Sequence, residues 1–287
     1  MTRNLDRFRY PSFIGIGPPR TATTWMHQVL EGRVALPRRT KETDFFSTNY
    51  SLGLDWYLKH FRRYRADLVV GEIAPTYFDF REAPVRIDRH LPLCKVICSL
   101  RDPVQRTYSH YRLLRSEGWI VRQSFEQAIE SHRKWRLGAG NIIGSSYYAT
   151  HLKRWFEVLG RERVLVIFHQ DMEADPQRYI DDVTRFIGIP RIYLGHSIGG
   201  TKINSLERAP LHPHLAARAR RLRDLLERRR MYRTIATLGF FFRYCFGRGE
   251  VFPGVDPRTE RELRDIFRPD IETLEELVQR DLSSWKN

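Results

Sequence analysis

Four apolar runs, each too short to be a helix, lie beside segments of helical spacing in the first two thirds of this chain. Phe13-Ile14-Gly15-Ile16-Gly17 precedes a helical stretch from Thr23 to Glu31, and Leu68-Val69-Val70 ends at Gly71-Glu72. Lys95-Val96-Ile97-Cys98-Ser99-Leu100 stops at Arg101-Asp102-Pro103 and leads into a helical pattern from Val104 to Ser116. The fourth run, Val164 to Phe168, follows a helical pattern from Tyr148 to Leu159. Runs of this kind have no polar face to offer water. They have to be covered on both sides, the condition of a parallel sheet held between layers of helices.

Composition narrows the partners. Lys and Arg number 49 against 34 Asp and Glu, a net charge of +15, and only seven of the basic residues are lysine, leaving 42 arginines. Such a surplus favours nucleotide phosphates, acidic glycans, nucleic acid or anionic lipid. No recognised nucleic-acid motif accompanies the charge, so nucleic acid is not expected as a partner. The longest apolar candidate, Ile235 to Phe246, is interrupted by Arg243 and falls short of the ~20 residues a bilayer span needs. Met1 to Tyr10 lacks the apolar core of a secretory signal. Cys94, Cys98 and Cys245 are too few for a disulfide framework or a zinc ribbon, and the first two sit in apolar sequence, reading as buried thiols. These features point to a cytoplasmic protein without a metal site.

Two strand-to-helix junctions carry the chemistry. Gly17-Pro18-Pro19-Arg20-Thr21-Ala22-Thr23-Thr24 follows the first run, and matches the first glycine and final threonine of the triphosphate loop G-x-x-x-x-G-K-[ST]. Ala22 replaces the second glycine, Thr23 replaces the lysine, and the cation moves to Arg20. Backbone N–H groups opening the helix can still hold an anion, while the missing lysine speaks against a triphosphate with magnesium. Arg101-Asp102-Pro103-Val104-Gln105-Arg106-Thr107-Tyr108-Ser109 opens the helix after the third run. Arg101 at a strand end suits a bidentate contact to a phosphate dianion, with Ser109 two turns further on. Arg106 reads as a solvated helix residue and His110 as a helix-surface histidine. Paired anion sites on adjacent strand ends fit a nucleotide phosphorylated at both ends. The expected fold is α/β: a P-loop-like three-layer arrangement with a central parallel sheet flanked by helices, plus a helical C-terminal region.

With these motifs in place, the chain resembles the sulfotransferases that use 3′-phosphoadenosine 5′-phosphosulfate (PAPS). Pro19 to Trp25 is similar to their 5′-phosphosulfate loop, and Arg101 to Ser109 to their 3′-phosphate motif. Within the family, the heparan sulfate (glycosaminoglycan) branch resembles it most. The matching residues are Lys41-Glu42-Thr43-Asp44-Phe45-Phe46, Tyr50, Gly53 to Tyr57, Glu72, Pro75 to Phe78, Arg81 to Pro84, Tyr148-Ala149 and His151-Leu152. The likeness covers about residues 10 to 190. Three departures stand out: Arg20 occupies the usual lysine position, Ile73 follows Glu72 where that branch has lysine, and Cys245 has no nearby partner for a C-terminal disulfide loop.

The resemblance implies a sulfuryl transfer from PAPS to a hydroxyl or amine of a glycan-like acceptor, free or lipid-linked, with the product 3′-phosphoadenosine 5′-phosphate (PAP) left behind. No metal is required. It assigns Glu42 as base, with Glu72 in reserve; the competing readings are a surface pair with Lys41 for Glu42 and a structural partner of an arginine for Glu72. Arg20 would hold the leaving phosphate oxygen; Thr21, Ala22, Thr23, Thr24 and Trp25 would cradle the 5′ group. Arg101 and Ser109 would take the 3′-phosphate, Tyr148 would lie near the cofactor, and Lys202 with Asn204 would close over it. One domain over 1–287 is expected, with the cofactor core at 10–190 and a helical region at 191–287 shaping the acceptor site. That region holds a helix from Leu215 to Arg230 with seven arginines, then Phe240-Phe241-Phe242, and an amphipathic pattern from Arg258 to Leu282. Its basic helix either rests on an anionic membrane or is a solvated face beside an aromatic core cluster. The rival functions are a P-loop phosphotransferase and a non-catalytic polyanion-binding module.

Overall fold

The alternating side chains of a central sheet divide the core into two halves. The computed structural model describes residues 9–38, 40–62, 64–133, 141–195, 209, 213–228 and 249–287. Its strands are β1 (Phe13–Ile16), β2 (Gly71–Ile73), β3 (Lys95–Leu100) and β4 (Val164–Phe168), all parallel in the order β2-β1-β3-β4. The helices are α1 (Thr23–Leu30), α2 (Leu54–Leu58), α3 (Ala83–His90), α4 (Pro103–Ser116), α5 (Phe125–Arg133), α6 (Tyr148–Leu159), α7 (His169–Ala174), α8 (Pro176–Ile187), α9 (Pro213–Arg228) and α10 (Pro257–Val278). Ile14, Ile16, Val96, Cys98 and Leu100 pack on one face with Phe45, Phe46, Tyr57, Trp155, Leu263 and Phe267. Phe13, Ile73, Ile97 and Ile167 pack on the other with Trp25, Met26, Val29, Ile180 and Val183. β1, β3 and β4 are thus covered on both faces, as their unbroken runs require.

The second strand is displaced from its expected place. Leu68-Val69-Val70 leads up to it, and the ladder itself is Gly71–Ile73, with Val70 bridging Ala35 instead. Apolar content misplaced it because the strand contains a glycine and a fully buried glutamate, Glu72. Gly71 is dictated by packing: a Cβ there would lie 2.1 Å from the ring of Phe13, its register partner. Among the described residues, no helix is long and apolar enough to cross a membrane.

Helix ends show where tertiary contacts complete local sequence. Asp102 caps α4 by accepting from the Val104 and Gln105 amides at 2.9 Å, with Pro103 in the first turn. α6 has no side-chain cap of its own. Asp270 of α10 supplies one from 120 residues away, accepting from the Ala149 and Thr150 amides at 2.9 and 3.1 Å. Replacing Asp270 with Ala is expected to destabilise the protein by about 1–2 kcal/mol, the usual worth of an N-cap. Urea denaturation measures this; an unchanged midpoint would deny the cap its role.

Candidate active site

The two anion motifs leave the C-terminal ends of β1 and β3, which are neighbours in the sheet. After β1 the chain turns through Gly17 at φ 129°, Arg20 at φ 82° and Ala22 at φ 69° before α1 begins. A Cβ at Gly17 would meet the Ser99 carbonyl oxygen of β3 at 2.5 Å, so only glycine lets the loop pass this close. Arg20 and Ala22 hold left-handed conformations that cost non-glycine residues free energy, and such strain clusters at functional loops. The loop is pinned from inside: Thr21 Oγ1 donates to the Pro18 carbonyl at 2.9 Å, and Ser99 Oγ donates to the Thr21 carbonyl at 2.5 Å. Tyr179 of α8 donates in turn to Ser99 at 2.9 Å. Thr21 and Thr23 are buried. The indole of Trp25 packs edge-on against Tyr179 in the core, so its side chain is a wall of the fold, and what it can offer a ligand is a backbone amide in the first turn of α1.

The two motifs converge. Arg20 Nε donates to Ser109 Oγ at 2.8 Å across 89 residues of sequence. Burial pushes the Arg20 guanidinium down to about 10, and the charges of Arg101 and Arg112 push the same way, against Glu117. Arg101 is also pushed down, chiefly by burial, although Glu173, Tyr148 and Asp102 favour its charged form. Crowded, desolvated guanidiniums of this kind are stabilised by an anion. Tyr148 is buried and its hydroxyl donates to the Arg101 carbonyl at 2.8 Å, so it holds the backbone that presents Arg101.

Glu42 and Glu72 differ sharply. Lys41 Nζ donates to Thr24 Oγ1 and to Glu42 Oε1, both at 3.0 Å, tying Glu42 to the first turn of α1. The Lys41 pair is therefore present, but it lies at the loop and not on an outlying surface. Glu42 remains partly exposed, and desolvation raises its carboxyl against the pull of Lys41. Glu72 is fully buried. Its oxygens accept from the Thr43 amide at 2.6 Å, the Tyr57 hydroxyl at 3.0 Å and the Tyr77 hydroxyl at 3.2 Å. Its partners are two tyrosines and an amide, not an arginine, and the amide belongs to the residue after Glu42.

Two expectations on α4 are corrected. Arg106 is wholly buried; it donates to Ser146 Oγ at 2.7 Å and to the Ile142 carbonyl, and lies 3.3 Å from His110 Nδ1. His110 is likewise buried. A charge in an amphipathic pattern reads as solvated, and only the 141–146 segment folding over α4 makes the opposite true. Sequence reasoning also passed over His169, the first residue after β4, which pairs with Glu173 at 3.3 Å. Burial, then the charge of Arg101, push it down to about 4. Its signal was available: residues at the C-terminal ends of parallel strands border ligand sites. Lys202, Asn204, Phe240 to Phe242 and Cys245 lie outside the described residues.

Comparison with known proteins gives the family and the fold. The family model of the sulfotransferase domain matches residues 11–198. This chain belongs to that family. Human bifunctional heparan sulfate N-deacetylase/N-sulfotransferase 2 is 31% identical over 197 residues, 63% of this chain and 22% of its own length. The mouse bifunctional enzyme 4 of the same name is 30% identical over 200 residues, 64% of this chain and 23% of its own. The chain thus spans less than a quarter of these curated relatives. A crystal structure of a sulfotransferase from Alicyclobacillus acidocaldarius shares the fold, with a TM-score of 0.70 over 97% of this chain and 100% of that one at 21% identity.

Burial lifts the Glu72 carboxyl from 4.5 to about 7, although the Thr43 amide and Tyr57 hydroxyl favour its charge. The folded protein then keeps a proton that the unfolded chain releases. The associated stability is full below the unfolded value of 4.5 and is lost as pH rises through about 7. Glu72→Gln removes this contribution, so denaturation at a series of pH values should show wild type losing ground to the variant across that window. Parallel stability curves would assign the titration to another group.

Proposed function

We propose that this domain transfers a sulfuryl group from PAPS to a hydroxyl or amine of a carbohydrate acceptor, with Glu42 taking the acceptor proton. The observation that carries the reading is the Arg20–Ser109 hydrogen bond, which joins the 5′ loop and the 3′ motif into one cationic cradle. Family membership supports the reaction, and the heparan sulfate relatives support a glycan acceptor. The residues present fit a bisphosphorylated nucleotide: the opening turn of α1 would receive one anion, and Arg101 with Ser109 the other. PAPS, when bound, supplies the activated sulfuryl group.

The chain's own residues do the rest. Arg20, in the loop before α1, would neutralise charge on the departing 5′-phosphate, its planar fork giving directed N–H donors in place of a lysine's point charge. Lys41, in contact with both Thr24 and Glu42, takes the place of the cation that Ile73 does not provide. Desolvation makes Glu42 a stronger base than an exposed carboxylate while Lys41 favours its charged form, a combination suited to proton removal near neutral pH. Glu72 holds the Thr43 amide and so fixes the backbone that carries Glu42; that makes it a positioning residue. Exposed arginines of α9, among them Arg218 and Arg221, extend the positive field and suit a polyanionic acceptor.

Glu42→Gln should leave PAP affinity within about threefold while turnover with labelled PAPS and an acceptor panel falls by about 10²- to 10⁴-fold. Near-normal turnover would move the base elsewhere. Arg101→Ala should weaken PAP by about 10- to 100-fold in calorimetry, and unchanged affinity would discredit the 3′-phosphate assignment. A thermal shift with PAP alone fits this function, whereas a shift with ATP and magnesium but not PAP would favour a phosphotransferase.

A further inference from the structure

Arg106, fully buried, and Arg112, half-buried, are held differently on α4. Arg106 is fully satisfied by Ser146, the Ile142 carbonyl and contact with His110. Arg112, nearly two turns further along the same helix, is not. Its Nε is buried without a hydrogen-bond partner, and among the described residues no carboxylate pairs with its guanidinium. The rings of Tyr108 and Phe252 flank it, with centroids 5.7 and 5.3 Å away. Tyr108 is itself fastened to the Pro253 carbonyl, so the wall beside Arg112 is rigidly joined to the segment before α10. Arg112 lies three residues after Ser109, on the same face of α4. Its charge bears on both Arg20 and Arg101. A buried guanidinium N–H left unpaired is costly unless a ligand completes it.

We propose that Arg112 is a second guanidinium arm for the 3′-phosphate of the nucleotide, reaching it from beyond Ser109 while Arg101 reaches it from the start of α4. The proposal rests on the PAPS reading above. A phosphate monoester carries a charge of about −1.5 to −2 at neutral pH, more than a single arginine neutralises. The 5′ end already has the first turn of α1 and Arg20, so among the described residues the cation of Arg112 on α4 is the one placed to add to Arg101 at the other end. Aromatic flanks limit the motion of the side chain, which lowers the ordering cost of the contact.

Calorimetry on the full chain with PAP and with 5′-AMP, which lacks the 3′-phosphate, tests the assignment in wild type, Arg112→Ala and Arg112→Lys. In Arg112→Ala, PAP affinity should fall by about 10- to 100-fold while AMP affinity stays within about twofold. Arg112→Lys, which keeps the charge and fills the same space, should recover part of the loss. Equal losses for PAP and AMP would mean that the residue only supports the fold, and would overturn the proposal. So would undiminished PAP affinity in Arg112→Ala, including the case where the acceptor KM rises instead and Arg112 serves an acceptor anion. If wild type itself shows no preference for PAP over AMP, the PAPS reading falls and takes this proposal with it. A wild-type preference that survives in Arg112→Ala removes the Arg112 assignment alone.

Discussion

The hydrogen bond from Arg20 to Ser109 is the contact on which the site depends, and sheet order is what makes it form. β1 and β3 are neighbours, so the turns leaving their C-terminal ends are neighbours as well. A parallel strand followed by a helix aims the first amides of that helix toward the same edge of the sheet. Two such junctions side by side bring the amides and arginines at both helix openings to one edge of the sheet. The cost is visible in Arg20 and Arg101, both pushed down by burial and by like charge. Cations packed this way in a fold with so large a positive surplus favour a ligand bearing several negative charges.

A second arrangement holds the segment around Glu42 in place. Phe45, Phe46, Tyr57 and Tyr77 form a cluster of stacked and edge-on rings over the sheet, and the Glu72 carboxyl sits among them. Burial there favours the protonated carboxyl, and three hydrogen-bond partners converge on it. The same donors tie the backbone next to Glu42 to β2, while Lys41 ties the Glu42 side chain to α1. Glu42 is thus held between the edge strand and the loop after β1 by polar contacts drawn from both.

Much of this was legible before any coordinates. β1, β3 and β4 are unbroken apolar runs, and their burial on both faces follows from that composition. Gly17, Arg20, Arg101 and Ser109 stand at fixed offsets from those runs, and short-range geometry governs them. β2 was placed three residues early because Gly71 and Glu72 carry no strand propensity; the close passage of Phe13 and the tyrosine hydroxyls override it. Arg106 and His110 were read as solvated because helical spacing reveals which residues share a face, not what covers that face.

The sequence alone determined the elements and the motifs at their ends, because strand runs, turn glycines and helix openings depend on residues a few positions apart. Tertiary structure decided the partners: that Arg20 reaches Ser109, that Asp270 caps α6, that Glu72 steadies the residue after Glu42, and that Arg112 is left with an unspent N–H. The physical reason is desolvation. Whether a charged group is a surface ornament or a constrained part of a site depends on which distant segment removes its water, and that segment is chosen by the packing of the whole sheet.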